Sequence, residues 1–392
     1  MDSKAVSLFG KPEDAFSLGI LTTEGAKEIA TKINDYLMSW FYTAHPEAID
    51  YPDAKKSLLI KASCPRFLSG DGKCVLNETV RGDDLYIVVD VGNYNCEYSM
   101  FGKKVPMSPD DHFQDLKRVI CAVGGKAQRI NVIMPILYGG RQHKRSARES
   151  LDCALALQEL ERMGVRNVIT FDAHDPRVQN ATPLMGFDNV MPYYQVLKAL
   201  LRKVDDLILD KEHMMVVSPD EGAMSRNMYY ASVLGIDLGM FYKRRDFSVI
   251  VNGRNPIVAH EYLGSSVNGK DVLVADDIIA SGESMLKLAE DLKEQGAKRI
   301  FMFATYGMFT EGLEKFEKAY QDGLISGILT TNLTYRMPEL LKKEWFIEVD
   351  MSKYIAYFIL ATHQNHSVTT ILDPHAKIKS LLKDYREKHG QA

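Results

Sequence analysis

The sequence predicts an α/β protein with mostly parallel sheets flanked by helices, and three observations carry that expectation. Short apolar runs alternate along the chain with amphipathic segments of helical spacing, which is the order of βαβ units. Loops rich in Gly, Asp and Arg follow several of the apolar runs, where open parallel sheets gather their ligands. At 392 residues the chain is long for a single core, so two domains are expected.

Taken in order, Thr23 to Trp40 reads as a helix, because Ala26, Ile29, Ile33 and Leu37 recur on one face. Residues 43 to 57, with Pro46 and Pro52 among charges, read as a loop. Strand patterns follow at Leu85 to Asp90 and Ile130 to Leu137, with a helix expected over Asp111 to Val123 between them. After a basic loop at 139 to 148 come a helix over Ser150 to Met163 and a strand over Val168 to Phe171. The second half repeats the rhythm: a helix near Val196 to Val204, strands at Met214 to Val217, Leu238 to Tyr242 and Val272 to Ala275, a helix from Ser284 to Gln295, and a strand at Ile300 to Ala304. A join within 180 to 192 divides the chain into expected domains 1–185 and 186–392, the second ending in a charged helical tail.

Composition narrows the function classes. Hydrophobic residues at 46% and charged residues at 26% describe a soluble globular protein, and 48 basic against 52 acidic residues give no electrostatic footprint for nucleic acid. The five cysteines are odd in number and lack CxxC spacing, so reduced thiols and a reducing, cytoplasmic compartment are expected. No signal-peptide core opens the chain, and the longest apolar run near its end, Tyr354 to Ala361, is too short to span a bilayer, so no membrane association is expected.

The richest stretch is Asp271 to Ser284, DVLVADDIIASGES. An apolar strand leads into Asp276 and Asp277, and Ala280, Ser281, Gly282, Glu283 and Ser284 then open a helix. Small residues at a helix start let backbone N–H groups approach a phosphate, and adjacent carboxylates accept from vicinal ribose hydroxyls directly or through a divalent ion. The ligand this predicts is a ribose phosphate, with an ordinary βα turn as the alternative. Other acid pairs, Asp83-Asp84, Asp110-Asp111 and Asp205-Asp206, read as solvated surface acids.

Four further segments end strands or follow them. Tyr138 to Arg148 carries Arg141, Lys144, Arg145 and Arg148 after two glycines, a cationic loop suited to a polyphosphate or simply to solvent. Strand Val168 to Phe171 leads into Asp172-Ala173-His174-Asp175, where the imidazole can meet Mg²⁺ or a phosphoryl oxygen, or bond within a turn. Strand Met214 to Val217 leads into a segment with Asp220 and Glu221, where Asp220 either completes a metal site opposite His174 or caps the next helix. Strand Leu238 to Tyr242 is followed by Lys243, Arg244 and Arg245, either surface charge or stabilisers of charge developing on a phosphoryl group.

Together the segments RFLSGDG (66 to 72), VRGDDLYIV (80 to 88), RQHKR (141 to 145), DAH (172 to 174), VVSPDEGAMSR (216 to 226), YKRR (242 to 245) and VADDIIASGES (274 to 284) form an order that resembles the ribose-phosphate pyrophosphokinase, or phosphoribosyl-pyrophosphate (PRPP) synthetase, family. The resemblance runs from about Ser17 to Asp350. It implies two phosphoribosyltransferase-like domains per subunit, assembly as dimers or hexamers, and a Mg²⁺-dependent reaction in which ATP and ribose 5-phosphate give PRPP and AMP. Ser69, Gly70 and Asp71 resemble the family's nucleotide-contacting turn, and Arg141 and Gln142 its ATP-binding pair, with Lys144 and Arg145 in the same loop. His174 and Asp220 fall on Mg²⁺-coordinating positions and Asp172 on a nearby acidic one. Lys243 and Arg245 correspond to the catalytic lysine and its partner arginine, with His174 beside the reacting phosphates. Asp276, Asp277 and Ala280 to Ser284 match the ribose 5-phosphate loop.

The chain departs from the family pattern at three places. Ala280 and Glu283 replace an acid and a glycine of the sugar-phosphate loop, His143 stands where an aspartate usually follows Arg-Gln, and Gly92 to Asp111 carries an insertion. Two other readings remain at this stage, a phosphoribosyltransferase and a catalytically silent subunit of a PRPP synthetase.

Overall fold

The computed structural model describes residues 2–10, 17–50, 55–245 and 257–391, with backbone alone at 243–245, 257–260 and 370. The chain divides into two compact units, one of 1–191 with 332–335 and 350–372, the other of 192–331 with 336–349 and 373–392.

The first unit contains β1 (Leu18–Thr22), β2 (Ala62–Ser63), β3 (Val75–Leu76), β4 (Asp84–Val88), β5 (Glu97–Met100), β6 (Lys103–Pro106), β7 (Arg129–Ile133), β8 (Asn167–Phe171) and β9 (Gly186–Val190). Five of them form a fully parallel sheet in the order β1-β4-β7-β8-β9, and the others pair as two hairpins, β2 with β3 and β5 with β6. Every residue of β4 is buried, as expected of a strand covered on both faces. The helix Pro109–Val123 shows how sharply local chemistry sets an element. Ser108 and Asp111 form a capping box, Pro109 occupies its first turn, and Gly124 stops it at φ +60°. Phe113, Leu116, Val119, Ile120 and Val123 then bury one face in the core beside Val132, Leu157 and Val168.

The second unit contains β10 (Met214–Ser218), β11 (Asp237–Arg245), β12 (Ile257–Leu263), β13 (Asp271–Ile279), β14 (Arg299–Gly307), β15 (Gly327–Thr331) and β16 (Phe346–Val349). Their order is β12-β11-β10-β13-β14-β15-β16, and each neighbouring pair is parallel except β11 with β12. Its core joins Val272, Val274, Ile300 and Met302 of the sheet to Leu288 and Leu292 of the helix Glu283–Glu294.

Several expectations need correction. β9 lies in what was taken as the join, so residues 186–190 belong with the first sheet. The apolar run at 354 to 361 is part of the helix Ser352–His363, which returns to the first unit and packs on the helix Lys27–Ala44. Among the described residues no helix is long and apolar enough to cross a membrane.

Asp84 is no surface acid. It is 1% exposed, it accepts from Arg129 Nε at 3.0 Å and Asn131 Nδ2 at 3.0 Å, and His363 Nδ1 stands 2.9 Å away. Burial opposes its ionisation, but the bonds from His363 and Arg129 outweigh that and hold its carboxyl below the usual range. Asp111 serves the capping box, and Asp206 accepts from Arg299 Nη1 at 2.7 Å.

Candidate active site

Two groups of predicted residues lie in the first unit. Ser69, Gly70 and Asp71 form the tip of a hairpin in which the Phe67 amide donates to Asp71 O at 2.7 Å and Ser69 Oγ donates to Asp71 Oδ2 at 2.8 Å. Gly70 takes φ +97°, which favours glycine, and a Cβ there would stand 2.6 Å from Met100 Sδ, a side chain that would have to shift. At the tip's base, Arg66 makes a two-pronged bond to the buried Asp115 at 2.8 Å on each side, and Arg118 adds a third at 2.8 Å.

The basic loop and the DAHD segment form the second group. Arg141, Gln142, Lys144 and Arg145 are exposed, and the loop opens in a turn where the Gln142 amide donates to Gly139 O at 2.7 Å. His143 is the loop residue that folds inward: Nε2 lies 3.5 Å from Asp175 Oδ2 and its ring centroid 5.2 Å from that of His174. Arg177, bonded to Asp175 through Nε at 2.9 Å, holds that carboxyl well below the usual range. Asp172, buried at φ +44°, is fixed between strands, its amide donating to Val190 O at 3.0 Å. His174 beside it is exposed.

In the second unit, Asp276 and Asp277 are not beyond a strand but inside one, since β13 runs on to Ile279. Gly282 then caps the helix Glu283–Glu294 at φ +83°, where a Cβ would overlap Phe316 Cζ at 2.0 Å. Thr310 donates to Ala280 O at 3.0 Å and the Glu283 amide to Ser281 Oγ at 3.4 Å, which orders the turn. Glu283 and Ser284 are exposed in the helix's first turn.

Charge is concentrated here. Burial, then the neighbouring Asp277, push the Asp276 carboxyl up to about 7 against the opposing pull of Arg226, and Asp220 adds to the rise. Arg226 Nη1 is 3.6 Å from Asp276 Oδ1. Asp220 accepts from the Ala223 amide at 3.2 Å in the turn before the helix Met224–Leu234, which has no side-chain cap, so the expected capping role is not what the residue does.

Sequence reasoning missed the residue that aligns these acids. Asn227, fully buried, donates to Ala275 O at 2.7 Å and accepts from Ala275 N at 3.0 Å, so its amide continues the β10–β13 ladder past its last pair, Val217 with Val274. The same Nδ2 reaches Ser218 Oγ at 3.3 Å, fixing the start of the Asp220 turn. Only the placement of an Asn within an apolar helix hinted at this. The backbone of Lys243 and Arg245 belongs to β11, but their side chains lie outside the described residues. His174 belongs to the first unit and Asp220 to the second.

Residues 18–164 match the N-terminal domain of ribose phosphate pyrophosphokinase, and residues 187–317 match the phosphoribosyl transferase domain. A ribose-phosphate pyrophosphokinase of Vibrio parahaemolyticus is 31% identical over 253 residues, covering 64% of this chain and 72% of the relative. One from Vibrio cholerae is 27% identical over 80% of this chain and 91% of its own length. The phosphoribosylpyrophosphate synthetase of Mycobacterium smegmatis shares the fold at a TM-score of 0.70 and 19% identity, over 89% of this chain and 99% of its own. The family resemblance read from the sequence is thereby borne out, and the chain belongs to the ribose-phosphate pyrophosphokinase family.

Proposed function

We propose that this protein transfers the β,γ-diphosphoryl group of ATP to the anomeric hydroxyl of ribose 5-phosphate, giving PRPP and AMP. The observation that best supports the acceptor half is in the second unit: two carboxylates on β13, one of them made harder to ionise by burial and by its neighbour, lead into a glycine-capped helix start. Carboxylates that resist charge favour hydroxyl donors or a cation beside them, and the helix start favours a phosphate. Asp276 and Asp277 therefore bind the ribose hydroxyls, and Ala280, Ser281, Gly282, Glu283 and Ser284 bind the 5-phosphate.

On the donor side, the Ser69-Gly70-Asp71 tip contacts the nucleotide, and Arg141, Gln142, Lys144 and Arg145 bind its phosphates. Among the described residues no group of three His, Cys, Asp or Glu side chains stands ready to hold a metal. The ion this reading requires is Mg²⁺, which is commonly held by one or two side chains together with substrate phosphates. His174 and Asp220, with Asp172 nearby, are the protein's oxygen and nitrogen donors for it, and the ion would neutralise phosphate charge. Lys243 and Arg245 stabilise charge as AMP departs, with His174 beside the phosphates, and positioning supplies much of the remaining rate. The basic loop excludes water while the phosphates are bound. The working protein is a homo-oligomer, dimer or hexamer, in the cytoplasm.

Purified protein with Mg²⁺, ATP and ribose 5-phosphate should yield AMP and PRPP in equal amounts. Lys243→Ala should cost on the order of 100-fold in kcat, and Asp276→Asn should raise KM for ribose 5-phosphate more than KM for ATP. No PRPP, or equal effects of Asp276→Asn on both substrates, would contradict this reading.

A further inference from the structure

The hairpin that carries Ser69, Gly70 and Asp71 has two cysteines at its base. β2 and β3 pair Ala62 with Leu76 and Ser63 with Val75, and the Arg66–Gly72 bridge continues the same register. Cys64 therefore stands directly opposite Cys74. Backbone bonds join Asn77 N to Lys61 O at 2.9 Å, Lys73 N to Pro65 O at 3.2 Å and Phe67 N to Asp71 O at 2.7 Å. Hydrogen-bonded and non-hydrogen-bonded pairs alternate along an antiparallel ladder, which puts Cys64 and Cys74 in the non-bonded position, with Cα atoms about 4.5 Å apart. That spacing is at the short end of the disulfide range, and side chains are closest in such pairs.

The two cysteines face each other across the ladder, free and partly exposed, so a small oxidant can reach them. Deprotonation of one thiol is favoured by the other beside it, so one of the two can serve as the attacking thiolate.

We infer that Cys64 and Cys74 are a reversible dithiol–disulfide pair controlling the hairpin tip, a regulation that rests on the proposed nucleotide role of Ser69–Asp71. The oxidant is a low-molecular-weight disulfide. One thiolate of the pair attacks one of its sulfurs and expels one small thiol. The other then attacks the protein sulfur of the mixed disulfide and expels the second, so two protein thiols become one S–S bond and the reagent is reduced to two thiols.

Closing the bond favours Cα atoms about 5.5–6 Å apart, about 1 Å wider than the reduced pair. The next ladder pair toward the tip is Arg66 with Gly72, and Arg66 is bonded to Asp115, so a change of spacing at the cysteines strains the residues from which the tip springs.

The test equilibrates the full chain in mixtures of reduced and oxidised glutathione, blocks remaining thiols with an alkylating reagent, and maps the peptides by mass spectrometry. Cys64 and Cys74 should lose reactivity together and appear in one cross-linked peptide, while Cys64→Ser and Cys74→Ser, with unchanged thermal melts, should form no internal bond. The oxidised protein should show KM for ATP raised about threefold or more, restored by reductant and absent in either variant. Both thiols staying reactive in the most oxidising mixture would overturn the pair. A bond that forms with KM for ATP unchanged would overturn its control of the tip. A reduced protein that makes no PRPP would instead refute the proposed activity, leaving the thiol result to be judged from the peptides.

Discussion

Asn227→Ala tests how the second unit holds its acids in line. The substitution removes the two bonds to the Ala275 peptide and the contact with Ser218, and it leaves the Ala275 N–H and C=O inside a strand with no protein partner on that side. Each unsatisfied buried group costs about 1–3 kcal/mol, so the pair sums to about 2–6 kcal/mol. In a unit of this size each kcal/mol moves Tm by about 2–4 °C, giving a fall of ~5–20 °C. The chain has two tryptophans, Trp40 in the first unit and Trp345, 1% exposed, in the second. Fluorescence in a Trp40→Phe background therefore reports the second unit alone. KM for ribose 5-phosphate should rise with the loss of alignment at Asp276. A melt within about 1 °C of the parent would refute the claim that Asn227 completes the ladder.

Gly282→Ala should destabilise the second unit by about 2–5 kcal/mol, because a positive φ and the overlap with Phe316 add together; an unchanged denaturation midpoint would show that Phe316 can move aside. Asp84→Asn should cost about 3 kcal/mol at pH 7 by leaving Arg129 without its buried partner. The folded carboxyl ionises below its unfolded value of about 3.9, so its contribution is complete above that pH and is lost as pH falls. The gap between variant and parent should therefore close below about pH 4, and a constant gap in urea titrations from pH 3 to 7 would count against the ion pair. Glu283→Gln should lower KM for ribose 5-phosphate by about threefold by removing a negative charge from the helix start, whereas no change would place that side chain away from the phosphate.

Much of the architecture was legible because parallel strands are buried on both faces and so appear as continuous apolar runs. β8, β10 and the helix before β8 fell close to their expected limits, whereas the helix Met224–Leu234 after β10 had none assigned. The limits of β13 were missed because Asp276 and Asp277 interrupt the apolar pattern while the backbone continues unbroken, the second acid tucked in at 8% exposure. Asn227 was illegible for a different reason. Its partner Ala275 lies far along the chain, and local sequence carries no sign of which backbone group an amide will reach. The same holds for His363 and Asp84, and so for the return of residues 350–372 to the first unit.

That return has a consequence for how the protein is made. Asp90, 2% exposed, receives the Thr334 hydroxyl at 3.1 Å and the Tyr335 amide at 3.1 Å, while Asp84 waits for His363 and Tyr86 for Thr362. A nascent chain leaves the ribosome N-terminus first, so the first sheet can draw early on Arg129, Asn131 and the Gly92 amide for its acids but gains residues 332–335 and 350–372 only later. A chain cut short between Val349 and Ser352 would leave Tyr86 without Thr362 and Asp84 without His363 in its first unit, a state open to proteolysis.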